Sequence, residues 1–157
     1  MRKKQNFGFS TFELLIALAI VIILGTIVVA KYSEVRLSTR NEQRKTDISA
    51  LQTAIDIYKA NNDKYPTLAQ VNNSEFRKAN LKNLTDSNLQ DPKWSAKSKN
   101  CESSNTATLQ DSAKPDASCY GYALTPSNCD NAGIACSSYS LSANLEPNQI
   151  YSKLSND

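Results

Sequence analysis

The chain has 157 residues, enough for one modest globular domain plus an attached segment, and its 40% apolar content is ordinary for a folded protein. Its formal charge of +3 comes entirely from Arg2, Lys3 and Lys4, so the remainder is neutral and gives no electrostatic case for a nucleic-acid partner. Histidine is absent, and no Gly-rich phosphate loop, GxSxG motif or prominent carboxylate pair appears, so no enzymatic activity, cofactor or metal centre is expected.

Residues 9–30 form an almost unbroken apolar run of 22 residues. As a helix rising about 1.5 Å per residue, the run is about 33 Å long, close to the roughly 30 Å hydrocarbon core of a bilayer. The basic residues before it keep the N-terminus cytoplasmic by the positive-inside rule and send everything after Ala30 outward. One carboxylate, Glu13, interrupts the run. An ionised acid costs roughly 3 kcal/mol at mid-bilayer and less near the interface, so Glu13 needs a partner. A capping box, with Ser10 as N-cap and Glu13 three residues on, would satisfy first-turn N–H groups. Alternatively, proteolysis after Gly8 would create a new N-terminus at Phe9, whose amine could pair with Glu13 of the same or a neighbouring subunit.

Lys3-Lys4-Gln5-Asn6-Phe7-Gly8 followed by Phe9-Ser10-Thr11-Phe12-Glu13-Leu14-Leu15 resembles the class III signal of type IV prepilins and type II secretion pseudopilins. The resemblance is close over residues 3–30 and extends to about Thr67. It implies a leader, residues 1–8, that a membrane-bound prepilin peptidase removes after Gly8 before methylating Phe9. It also implies that Glu13 recruits the subunit to a growing filament by neutralising the N-terminal amine of an adjacent subunit. Such a pair about 4 Å apart interacts by about 4 kcal/mol at an effective dielectric near 20, enough to offset burial of the charge. Many pilins carry a proline where this chain has Ala30, so no proline kink is expected, and any local unwinding is expected at Gly25. Two rival readings of the run are a secretory signal peptide cleaved after Val28-Val29-Ala30 and a permanent single-pass anchor. The apolar core is long for a signal peptide, and Glu13 fits poorly at its entrance.

Beyond Ala30, residues 31–60 read as an amphipathic continuation of the helix, with Ile48, Leu51, Ile55 and Tyr58 on one buried face beside Ala50 and Ala54. Arg36, Arg40 and Arg44 recur every four residues and read as a solvated basic stripe, with lipid phosphates or acidic groups of neighbouring subunits as the alternative partners. Turn formers and Tyr65-Pro66 end the helix. That exit also resembles the helix exit of major pilins and pseudopilins.

Residues 61–157 form the outer head. Residues 68–118 read as a polar connector with one short helix over 74–84, capped by Ser74 and presenting Phe76, Leu81 and Leu84. Trp94 packs this connector against the head. Alternating apolar residues predict antiparallel strands at 119–124 and 138–145, with a third at 149–154. Cys101, Cys119, Cys129 and Cys136 lie beyond the apolar run, where an even number points to two disulfides rather than a zinc site. Three connectivities are possible, and the sequential one is preferred. Asp130 and Asn131 could supply calcium oxygens, as a loop in some major pseudopilins does, although they do not fit the EF-hand pattern.

The expected fold is therefore α+β and pilin-like: a long N-terminal helix packed on a small antiparallel sheet. The first functional expectation is a type IV pilus subunit serving adhesion, motility or DNA uptake. A type II secretion pseudopilin is the second, and a membrane-tethered or secreted binding domain the third. For the first two, the partners implied are like subunits in a helical homopolymer, the inner-membrane assembly machinery and the prepilin peptidase. The protein would be a single-pass membrane protein before assembly and part of a surface filament afterwards.

Overall fold

The computed structural model describes residues 10–95, 100–103 and 106–155, with the side chains of residues 27–30 left aside. The chain divides into two compact units, Met1–Thr39 and Arg40–Asp157.

Helix α1 runs over Thr11–Asn62. No proline precedes Pro66, and Gly25 is the only glycine within the helix, so nothing along this stretch removes a backbone donor. The helix passes through Gly25 without a break. At its start, the Phe12 N–H donates to Ser10 Oγ at 3.3 Å and the Leu14 N–H to Ser10 O at 3.1 Å. At its end, Asp63 turns left-handed at φ 59°, and its N–H closes on Lys59 O at 2.8 Å before Pro66 prevents continuation.

In the second unit, the part of α1 from Arg40 onward supplies Ile48, Leu51, Ile55 and Tyr58 to a continuous buried cluster. Tyr120, Tyr122, Tyr139, Leu141 and Ala143 of the sheet complete it. The sheet orders β3 (Tyr120–Thr125), β4 (Ser138–Leu145) and β5 (Gln149–Leu154) as an antiparallel meander. Register pairs Tyr122 with Leu141 and Ala143 with Tyr151. Tyr139 meets Tyr65 edge-on, with ring centroids 4.8 Å apart, and Tyr122 at 5.7 Å. Such aromatic pairs add to the stabilisation from burial itself. A two-stranded ribbon, β1 (Glu102–Ser103) with β2 (Thr106–Ala107), lies apart from this sheet.

The opposite face of the main sheet is partly covered. Gln110 pairs with Gly121 along the free edge of β3, and the segment beyond it crosses the face, where Ser142 Oγ donates to Ser112 O at 3.3 Å and Asn144 donates to Pro115 O. Gly121 permits this approach, since a Cβ there would stand 2.0 Å from Ser112 O. The connector holds more structure than its polarity suggests. Helix α2 (Leu68–Asn72) starts from a capping box in which Gln70 N–H donates to Thr67 Oγ1 and Thr67 N–H to Gln70 Oε1. Helix α3 spans Ser74–Asn80, and its cap is Asn73, not Ser74. The left-handed turn at Asn83 follows the helix, while Leu81 and Leu84 remain buried.

Candidate functional site: the apolar helix and the Arg44 cluster

Within the first unit, the large apolar side chains between Phe12 and Leu24 are 48–70% exposed. Helix α1 is long and apolar enough to cross a membrane, and an 18-residue window of it has a mean hydropathy of 2.9. Burying each such side chain is worth about 1.5–3 kcal/mol, and ten of them stand on this segment. A solvent-facing apolar surface of that extent marks contact with lipid or with another protein chain. Glu13 is exposed in the first turn of α1, where the helix dipole favours a negative charge. Among the described residues Glu13 has no hydrogen-bond or ion-pair partner, so the Ser10 side chain caps without the return bond that a capping box needs. Gly8 and Phe9, the processing residues expected from the sequence, lie outside the described residues.

The basic stripe is not a uniformly solvated face. Arg36 is exposed, but Arg40 is only partly so, and Arg44 is fully buried. Arg44 holds Asp91 with both arms of its guanidinium: Nε donates to Oδ2 at 2.6 Å and Nη2 to Oδ1 at 3.1 Å. Its Nη1 donates to Asn41 Oδ1 at 2.9 Å and to Glu146 Oε1 at 3.0 Å. Glu146, in the turn between β4 and β5, also accepts two bonds from Arg40 at 2.7 Å each and one from Lys93 at 2.8 Å. Asn41 closes the arrangement, donating to Glu146 O and accepting from its N–H. Burial opposes the charged form of Arg44, but Asp91 and Glu146 outweigh it and keep the guanidinium protonated. The Arg40 hydrogen bond, opposed by burial and reinforced by Lys93 and Arg44, holds the Glu146 carboxyl well below its ordinary range. One turn further along, buried Asp47 accepts from Tyr120 Oη at 2.9 Å, Gln43 at 3.1 Å and Asn88 at 3.3 Å. Burial nevertheless raises its pKa, against the pull of these donors. These groups tie α1 to the connector and to the β4–β5 turn, fixing the head on its helix from Arg40 onward.

Two disulfides, Cys101–Cys119 and Cys129–Cys136, staple the head in the sequential pairing. The second closes a loop whose polar groups are occupied. Asp130 Oδ1 accepts from the N–H groups of Ala132, Gly133 and Ile134 at 2.8–3.0 Å, which lowers its pKa. The Asn131 side chain donates to Tyr65 O at 2.7 Å and accepts from Cys136 N–H at 3.0 Å. These bonds occupy Asp130 Oδ1 and Asn131 Oδ1. Beside the loop lies a cleft of about 490 Å³ lined by Thr67, Leu68, Leu124, Cys129 and Asp130. Trp94 donates from Nε1 to Cys101 O at 3.1 Å, which joins the connector to the first disulfide.

No family model matches the chain, and no solved structure matches it. It is similar to the type II secretion system core protein G of Aeromonas hydrophila, 33% identical over 70 residues that cover 45% of this chain and 49% of that protein. The protein of the same name from Klebsiella michiganensis matches at the same identity and coverage, and that of Dickeya chrysanthemi is 30% identical over 70 residues, 45% of each chain. The chain thus spans about half the length of the curated relatives it matches. Taken with the exposed apolar helix and the small antiparallel sheet, these matches support placing the chain in the type IV pilin and type II secretion pseudopilin family.

Proposed function

We propose that this protein is a pseudopilin-type structural subunit of a type II secretion system. Its similarity to proteins bearing that name is the observation that carries the reading, and it favours the pseudopilin over the type IV pilus subunit that the sequence put first. In this reading the prepilin peptidase removes residues 1–8 after Gly8 and methylates Phe9. The helix then spans the inner membrane with the head outside. Assembly moves the exposed apolar surface of Phe12 to Leu24 from lipid to the equivalent surfaces of neighbouring subunits, and the carboxylate of Glu13 meets the amine of an adjacent Phe9. The role is structural rather than catalytic. A type IV pilus subunit is the second reading, favoured by the two disulfides, which suit a head exposed at the cell surface.

Deletion of the gene tests the choice: a pseudopilin is expected to leave exported enzymes inside the envelope with surface pili intact, whereas loss of pili with normal secretion favours the second reading. Glu13→Ala tests the filament chemistry common to both. The variant is expected to insert into the membrane and be processed, yet be absent from filaments, and its incorporation at wild-type levels would refute the role given to Glu13.

A further inference from the structure

Immediately past the apolar run, α1 carries Lys31, Tyr32, Glu34, Val35 and Arg36. From Thr11 to Tyr32 the helix advances about 32 Å at about 1.5 Å per residue, so a helix whose inner border lies near Thr11 brings Tyr32 to the outer edge of a hydrocarbon core roughly 30 Å thick. Arg36 lies one turn further out, but its side chain folds back: its Cζ stands 4.7 Å from the centre of the Tyr32 ring. Long helical side chains lean toward the helix N-terminus, so the guanidinium returns to about the level of Tyr32. Lys31 is engaged differently, with its Nζ 3.1 Å from Glu34. Tyr32 and Val35 are 56% and 60% exposed and share a face with Arg36. Among the described residues, no acceptor meets the N–H donors of Arg36.

The geometry points to a phospholipid-headgroup site: the Tyr32 ring and Arg36 guanidinium seat in the outer leaflet, with the N–H edge of Arg36 on a lipid phosphodiester. Helix length and charge complementarity select this occupant. Tyrosine is favoured at the membrane–water border, and a guanidinium fork matches the geometry of phosphate oxygens. The stack on Tyr32 leaves that fork free to donate while holding it at headgroup depth. The site fixes how far the helix sits in the bilayer, and therefore the depth of Glu13. It is a contact that the subunit must release when it leaves the membrane for a filament.

The site rests on the proposed membrane-spanning state, and the test separates the two. The full-length protein is reconstituted in vesicles of phosphatidylethanolamine and phosphatidylglycerol, either as Tyr32→Trp or as Ile20→Trp, and the emission contributed by Trp94 in the parent chain is subtracted. Ile20→Trp is expected to be quenched most by nitroxides at the lipid chain ends, and Tyr32→Trp most by nitroxides on headgroups. Correct depth for Ile20→Trp with no headgroup quenching of Tyr32→Trp overturns the anchor and keeps the span; failure at both positions overturns both. A second arm measures dipolar dephasing of ¹³C-guanidino arginine by lipid ³¹P. The wild type is expected to show a dephased population that Arg36→Gln loses. Equal dephasing in the two proteins, or none in the wild type, overturns the phosphate contact and leaves acidic groups of neighbouring subunits as the partners of Arg36.

Discussion

Replacing Arg44 with alanine should be among the most damaging single changes in the head. The substitution leaves Asp91, itself fully buried, with the Lys93 N–H at 2.7 Å as its remaining donor. Glu146 loses less, because Arg40 and Lys93 still hold it. Breaking a buried ion pair by removing one partner costs about 3–5 kcal/mol, and the emptied side-chain volume adds to the cost. We expect a loss of about 4 kcal/mol, a large share of the roughly 5–15 kcal/mol that holds a typical domain together. With a urea dependence of about 2 kcal/mol per molar, the unfolding midpoint falls by about 2 M. The assay is urea unfolding of the full chain in detergent, followed by Trp94 emission. Trp94 is a local reporter, since its backbone N–H donates to Asp91 O at 2.8 Å. Arg36→Ala, at an exposed position of the same stripe, serves as the control and should change stability by less than about 0.5 kcal/mol. A loss at Arg44 no larger than about 1 kcal/mol would refute the assignment, because that is the range of a solvated surface pair.

Three further outcomes follow from the same geometry. A carboxyl held below its ordinary pKa contributes stability above the unfolded value near 4.5 and loses it as pH falls toward the folded value, so Glu146 makes the wild-type head weaken on acidification. Asp47 acts in the opposite sense, since burial raises its pKa. The Glu146→Gln variant, less stable at neutral pH, should therefore show a flatter acid limb than the wild type in unfolding scans below about pH 5, and parallel limbs would contradict the pairing. Gly121→Ala drives a Cβ to 2.0 Å from Ser112 O and 2.5 Å from Ser142 Oγ; the expected cost is about 1–3 kcal/mol, read as a lowered thermal midpoint, and an unchanged midpoint would contradict the close approach. Loop-closure entropy makes the Cys101–Cys119 bridge, with a sequence separation of 18, worth more than Cys129–Cys136, with a separation of 7. Serine pairs at the two bridges should differ by roughly 0.8 kcal/mol in that order, and the reverse order would show that native contacts of the Asp130 loop dominate.

The elements that read well in the sequence are those whose signal is local and periodic. The apolar run, the face formed by Ile48, Leu51, Ile55 and Tyr58, and the alternation along β3 and β4 each carry their own evidence. Helix α2, only five residues long, falls below the length at which a helical period can be seen, and its one local trace is the Thr67 to Gln70 spacing of its capping box. Arg44 is more instructive. A charged side chain is ordinarily solvated, and its partners Asp91 and Glu146 lie 47 and 102 residues away, beyond the reach of pattern reading. Yet Arg44 precedes Ile48 by four positions and so continues the buried stripe, a spacing that marks it as inward-facing. Asp47 stands on the same side, one turn before Leu51. The partly covered outer face of the sheet left a weaker trace: a glycine, Gly121, at an outward position of β3 where the 112–115 segment crosses.

Assembly as a pilin-like subunit depends on what happens between Gly8 and Phe9. Intact-mass and N-terminal peptide mass spectrometry of the protein from membranes of its native host addresses that directly. The expected chain begins at N-methylated Phe9, with residues 1–8 absent. A chain retaining Met1, or one beginning at Lys31, would contradict assembly as a pilin-like subunit and would return the protein to a permanently anchored or secreted domain.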